Sequence, residues 1–290
     1  MSTIERAAAR LGSIGKPRLE PALGDGAGPD RAAAPQMFVG GGLVQIDLDA
    51  LAERGFVGPA DAKSELATDF RRIKRPLLLA MQKAEALGEL HNPANLVVVT
   101  SALPSEGKTF VSVNLALSMA TEMDRTVLLI DGDPAKGDVC RVLGIEPSRG
   151  FTEILEAGGH YIDDAILKTN IEDLAVLPSG PRLPNTDELF ASELTRRVTR
   201  QLAEDDRNRI ILVDAPPLLA STEAAALARL AGQVVVVVEA DRTPQANVTE
   251  ALALLDGCEG VSLVLNKVTR RASDRHAYGY GYGHSHGVGG

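Results

Sequence analysis

The chain has 290 residues, with 30 Lys and Arg against 39 Asp and Glu, a formal net charge of −9. That balance excludes an anion-binding surface spread over the whole protein, and with 3% aromatic residues and no Trp it argues against a nucleic-acid partner. The two cysteines, Cys140 and Cys258, are too few for a disulfide framework and lack paired zinc-ligand spacing.

In chain order, residues 1–43 are rich in Gly, Pro and Ala with little apolar periodicity, and read as a flexible segment. Over 44–92 the pattern changes: 48–54 and 64–87 carry helical spacing, with Pro59 and Pro76 as expected boundaries or kinks, which predicts a helical arm. From there, short apolar runs alternate with helical patterns. Strands are expected at 96–100, 126–130, 174–177, 210–213, 233–238 and 261–265, and helices at 109–122, 152–156, 185–204, 222–231 and 244–255. Runs this continuously apolar suit strands buried on both faces, so 93–268 is predicted to be a doubly wound α/β domain with a mainly parallel sheet. Its ligands belong at the carboxyl ends of the strands. After Asn266 the apolar pattern stops, and 269–290 is basic, then rich in Gly, Tyr and His, as expected of a disordered tail. The longest wholly apolar run, 234–238, is far short of the roughly 20 residues that span a bilayer, and the N-terminus has no apolar signal core. A cytoplasmic chain with no direct membrane span is expected.

Directly after the first long strand comes Ala102-Leu-Pro-Ser-Glu-Gly107-Lys108-Thr109, followed by a helix, which is the strand, loop and helix context of a P-loop. In such a loop the backbone N–H groups and the helix N-terminus surround phosphate oxygens, a lysine pairs with the β and γ phosphates, and a hydroxyl ligates Mg²⁺. Those roles fall on Lys108 and Thr109, with ATP and Mg²⁺ as the implied ligands. The opening glycine of the pattern is replaced by Ala102. Asp131 and Asp133 follow one apolar run and Asp214 closes another. Three carboxylates at the same sheet edge repel one another unless a cation sits among them, and Mg²⁺ supplies it.

Several stretches resemble the bacterial tyrosine kinases, P-loop autokinases of exopolysaccharide and capsule systems, and most of all those associated with exosortase. These are the opening Met1-Ser-Thr-Ile-Glu-Arg, Phe70-Arg-Arg-Ile-Lys-Arg-Pro-Leu-Leu, Val99 to Phe110, Arg125 to Asp133, Asp214-Ala-Pro-Pro217, Val236-Val-Val-Glu-Ala240 with Arg242-Thr-Pro-Gln245, Val264-Leu-Asn-Lys267 and the Tyr-rich tail. The resemblance implies a P-loop NTPase fold of the Walker A, A′ and B type. It also implies nucleotide binding by Pro104, Ser105, Glu106, Gly107, Lys108, Thr109 and Phe110, with Asn266 near the adenine. Asp131 would help hold Mg²⁺, Asp133 would take the proton of an incoming tyrosine, and Asp214 would orient a metal-bound water, so that Thr109, Asp131 and Asp214 form the metal set. Family members carry Arg or Lys, often followed by Pro, soon after the second aspartate; here the run is Asp133-Pro-Ala-Lys136-Gly137, and Gly137 departs from the pattern.

A family oligomerisation signature, Glu-x-x-Arg-x-x-Arg, matches here either as Asp69, Arg72 and Arg75 or as Thr68, Arg71 and Lys74. A solvated basic helix face explains the same charges equally well. The acceptors implied are Tyr278, Tyr280 and Tyr282, three of the four tyrosines, spaced by glycines that keep the tail extended. The resemblance thus implies tyrosine autophosphorylation, with transfer in trans within a ring expected, and a separate transmembrane chain-length partner of polysaccharide assembly. Two alternatives stay open: a partner-switching ATPase of the partition or division-site kind, and an inactive nucleotide-sensing subunit. The first carries a lysine early in its P-loop, where this chain has Leu103.

Overall fold

The computed structural model describes residues 41–58, 63–87, 91–146 and 149–269. Most of the expected N-terminal segment and nearly all of the expected tail, including Tyr278, Tyr280 and Tyr282, lie outside the described residues.

Each of the long apolar runs forms a strand: β2 Leu96–Ser101, β3 Thr126–Asp131, β5 Leu174–Leu177, β6 Arg209–Asp214, β7 Gln233–Glu239 and β8 Val261–Asn266. Two short strands that the pattern does not reveal, β1 Leu43–Val44 and β4 Leu167–Thr169, complete an eight-stranded sheet of order β1-β4-β5-β3-β6-β2-β7-β8. All pairings are parallel except β4 with β5. The two missed strands are too short for a periodic signal and exist through their neighbours, with Asn170 Oδ1 accepting from Ile46 N at 2.8 Å beside them. Every residue of β2, β3, β5 and β6 is buried. Alternate side chains enter opposite cores: Leu96, Val98, Leu128, Ile130, Ile211 and Val213 on one face, Val97, Val99, Val127, Leu129, Ile210 and Leu212 on the other.

Helices cover both faces. They are α1 Leu48–Glu53, α2 Glu65–Leu87, α3 Lys108–Met119, α4 Asp138–Leu143, α5 Phe151–Glu156, α6 Ile162–Ala165, α7 Thr186–Phe190, α8 Glu193–Glu204, α9 Thr222–Ala228 and α10 Gln245–Ala253. The single helix expected over 185–204 is two, because Ser192 caps α8 by accepting from Thr195 N and so restarts the helix. Nor does Pro76 end α2. Its ring costs the hydrogen bond to the Arg72 carbonyl, but both residues face solvent, where water satisfies that group. No helix among the described residues is long and apolar enough to cross a membrane.

The arm is packed onto the P-loop helix. Phe56 and Phe70 meet Phe110 with ring centroids 5.1 and 6.2 Å apart. Val57 N donates to Asn114 Oδ1 at 2.7 Å. Buried Lys74 donates to Ser118 O at 2.6 Å and pairs with Glu122 at 2.7 Å. This separates the two registers of the charge signature: Lys74 is spent inside the protein, whereas Arg72 and Arg75 are exposed and Arg72 pairs with Asp69 at 3.2 Å.

Candidate active site

The site lies at the switch point of the parallel sheet, where the connection from β2 runs to one side and that from β6 to the other, at the carboxyl ends of β2, β3 and β6. Strand register brings the acids together, since Asp131 and Asp214 are Cα partners across β3 and β6. The loop after β2 leads into α3 through Gly107, whose φ of 93° lies in the left-handed region; a Cβ there would fall 2.2 Å from Asn266 Nδ2. Among the described residues, the N–H groups of Glu106, Gly107, Lys108 and Thr109 have no acceptor, leaving donors gathered at a helix start. Ala102, by contrast, keeps a negative φ and is fully buried against the apolar core, so the missing glycine costs the loop nothing there. Gly137, the other departure, takes φ 59° where it caps α4, a conformation that suits glycine.

Lys108 Nζ lies 3.0 Å from Asp133 Oδ2 and 3.4 Å from Asp214 Oδ2. Thr109 Oγ1 donates to Asp214 Oδ2 at 2.6 Å. Asp131 accepts from the backbone N–H groups of Asp133 and Val139, both at 3.1 Å, which holds it at the base of the site. All three carboxylates are buried. Burial works against the Lys108 charge, but Asp214 and then Asp133 more than offset it and hold its pKa above the ordinary lysine value. Burial raises the Asp214 carboxyl against the pull of Lys108, Thr109 and Ser112. For Asp131, burial and then Asp214 push the pKa up to about 7.

These residues fit a divalent cation. Three buried carboxylates face one ammonium, and Asp133 Oδ2, although close to Lys108, has no hydrogen-bond partner. Oxygen donors with surplus negative charge are what Mg²⁺ takes.

A pH dependence follows. The raised Asp131 pKa means that the folded state keeps a proton which the unfolded chain releases above about pH 4. This contribution is present at low pH and is lost as the pH rises through 7. Without ligand, stability falls by about 2 kcal/mol between about pH 5 and about pH 8, and Mg²⁺ with nucleotide recovers it. Urea midpoints at the two pH values check this.

Not every expected nucleotide residue turns its side chain to the site. Phe110 packs its ring between Phe56 and Phe70, so only its backbone is available. Glu106 braces the loop: its Oε2 accepts from Leu103 N at 2.6 Å and its Oε1 accepts from the Thr243 hydroxyl. Pro104 and Ser105 are both exposed, Ser105 with φ 69°. Asn266 donates to the Glu106 carbonyl at 2.8 Å. Ser112, which the sequence reading misses, donates to Asp214 Oδ1 at 2.9 Å. Its position four residues after Lys108, on the same helix face, is the signal that points to it.

A family profile described as AAA domain matches residues 105–267, more than half of the chain. The tyrosine-protein kinase wzc of Salmonella typhimurium is 33% identical over 212 residues, which is 72% of this chain and 28% of that protein. The putative tyrosine-protein kinase CapB of Staphylococcus aureus is 28% identical over 221 residues, covering 75% of this chain and 92% of CapB. Among solved structures, the kinase domain of Escherichia coli tyrosine kinase ETK superposes with a TM-score of 0.61 at 28% identity, over 74% of this chain and 80% of that one. The chain thus spans little more than a quarter of wzc and nearly all of CapB. With the profile, the two relatives and the kinase-domain fold all falling on the segment that holds the loop and its acids, the chain belongs to the AAA domain family and, within it, to the bacterial tyrosine kinases.

Proposed function

We propose that this chain is an ATP-dependent protein-tyrosine kinase that phosphorylates its own C-terminal cluster, Tyr278, Tyr280 and Tyr282, in trans within a ring. The observation that carries this reading is the meeting of Lys108 with Asp133 and Asp214 at the mouth of the P-loop, in a chain whose relatives are named tyrosine kinases. The loop amides and Lys108 bind the phosphates. Thr109, Asp131 and Asp214 hold Mg²⁺, which when bound neutralises charge on the phosphate oxygens. When Lys108 turns to phosphate, its pairing with Asp133 is released, and Asp133 is free to accept the tyrosine proton, which otherwise leaves only near pH 10. Phosphoryl transfer asks little covalent chemistry of the protein beyond this positioning.

The stripe of half-buried Asp69 with exposed Arg72 and Arg75 supports assembly through α2. Each phosphate adds about −1.5 to −2 charges, so several on adjacent tails repel and loosen the ring. We place the chain in the cytoplasm, recruited to the membrane by a separate transmembrane co-polymerase, and assign it to regulation of exopolysaccharide synthesis or export. Leu103 packs against the apolar core where the partition-type ATPases carry lysine, which disfavours that alternative.

Incubation with Mg²⁺ and ATP followed by tail-peptide mass spectrometry tests the reading. Phosphate increments are expected on Tyr278 to Tyr282, and none in the triple Tyr→Phe variant. Absence of increments, with the cytoplasmic segment of a candidate membrane partner also present, overturns it. For the trans step, a Lys108→Met chain is mixed with an active chain truncated before the tail; label on the Lys108→Met chain is expected, and its absence means transfer in cis.

A further inference from the structure

The last residues of the sheet grip the P-loop from outside. Asn266 ends β8, and Lys267 follows with a φ of 56°, a left-handed turn that directs its side chain back over the loop. Lys267 Nζ donates to Ser105 O at 2.6 Å and is held by Glu239 Oε2 at 3.0 Å. Asn266 Nδ2 donates to the next carbonyl, that of Glu106, at 2.8 Å. Gly107 is what lets Asn266 approach, since any Cβ would occupy the position of its Nδ2.

Two consecutive carbonyls are therefore turned toward β8. In a trans peptide the C=O and the following N–H point to opposite sides, so this fixes the Glu106 and Gly107 N–H groups toward the interior of the loop. Those two N–H groups are among the donors with no acceptor at the helix start. Ser105 adopts a φ of 69°, which a residue with a side chain resists, and the bond from Lys267 holds it there.

We propose that Asn266 and Lys267 are positioning residues that preset the phosphate-binding amides of the P-loop, with Glu239 anchoring Lys267. The proposal rests on the reading that this loop binds the phosphates of ATP. It gives Asn266 a role distinct from the adenine contact implied by family resemblance, and it makes phosphate affinity depend on the chain just before the tail. A loop whose amides are preset pays less ordering cost when the ligand arrives.

The test is calorimetric titration of the full chain, with Mg²⁺, against ADP and separately against pyrophosphate, which has no base. Lys267→Met is expected to weaken both ligands by the same factor, about tenfold for one charge-assisted hydrogen bond. Lys267→Arg, which keeps a cationic donor, restores most of that loss. Asn266→Ala weakens both ligands alike. Lys267 is partly solvent-exposed, so the ligand-free Lys267→Met protein melts within about 2 °C of wild type, which separates positioning from folding. Pyrophosphate affinity unchanged in Lys267→Met, or a loss confined to ADP, overturns the proposal while leaving the phosphate-binding reading intact. Failure of the wild type to bind either ligand overturns both.

Discussion

Lys108→Met will reduce phosphotyrosine formation by at least about a hundredfold, the scale set by loss of one preorganised charge donor in a buried site. The same change will destabilise the ligand-free protein near neutral pH. Lys108 is the ammonium that faces Asp133 and Asp214, at 3.0 and 3.4 Å, and all the groups involved are buried. Taking away one partner of a buried ion cluster leaves uncompensated charge, with typical costs of about 3 to 5 kcal/mol. The orphaned carboxylates meet that cost in part by binding protons, so acidification restores stability in the variant more than in wild type. Phosphotyrosine mass spectrometry and urea unfolding at two pH values read the two effects separately. Labelling that persists in Lys108→Met ends the assignment of this lysine.

Asp214→Asn has the opposite effect on stability. Asp214 is fully buried and accepts from Thr109 at Oδ2 (2.6 Å) and from Ser112 at Oδ1 (2.9 Å). An amide keeps its oxygen as acceptor for Thr109, while its NH2 donates to Ser112 Oγ, which still donates to the Lys108 carbonyl at 3.0 Å. What it removes is a negative charge that burial already disfavours, as the raised pKa reflects. The ligand-free variant is therefore as stable as wild type or more stable by about 1 kcal/mol near pH 8. Its transfer rate falls about a hundredfold, and the rise in melting temperature produced by Mg²⁺ with ATP is lost. If Asp214→Asn instead destabilises the protein as Lys108→Met does, charge crowding is not what governs this cluster.

The two predictions use residues that were legible in different ways. Lys108 and Thr109 are announced by a local word, a strand followed by Gly-Lys-Thr and a helix, and short-range geometry is enough to build that loop. Asp131 and Asp214 can be picked out as acids closing apolar runs, yet 83 positions of numbering separate them. Only the pairing of β3 with β6 makes them neighbours. Ser112 shares the helix face of Lys108 one turn on, and only the fold shows that its acceptor is Asp214. Family resemblance implies Phe110 as a nucleotide residue, and the fold commits its ring to Phe56 and Phe70 beneath the arm, which leaves its backbone to the loop.

By itself the sequence determined the class of the domain, the six long strands, the phosphate loop and the identity of the acids. Each of these follows from interactions between residues close in the chain or from continuous burial, which leave a periodic or compositional mark. The tertiary structure alone decided the rest: the short strands β1 and β4, the break before α8, the docking of the arm along α3, and the turn of Asn266 and Lys267 onto the loop. Lys74 shows the reason. On paper it is one charge in a basic helix, and whether it meets water or the Ser118 carbonyl depends on a helix more than 40 residues away. Contacts of that range satisfy polar groups and fill cores without leaving a pattern in the residues that make them.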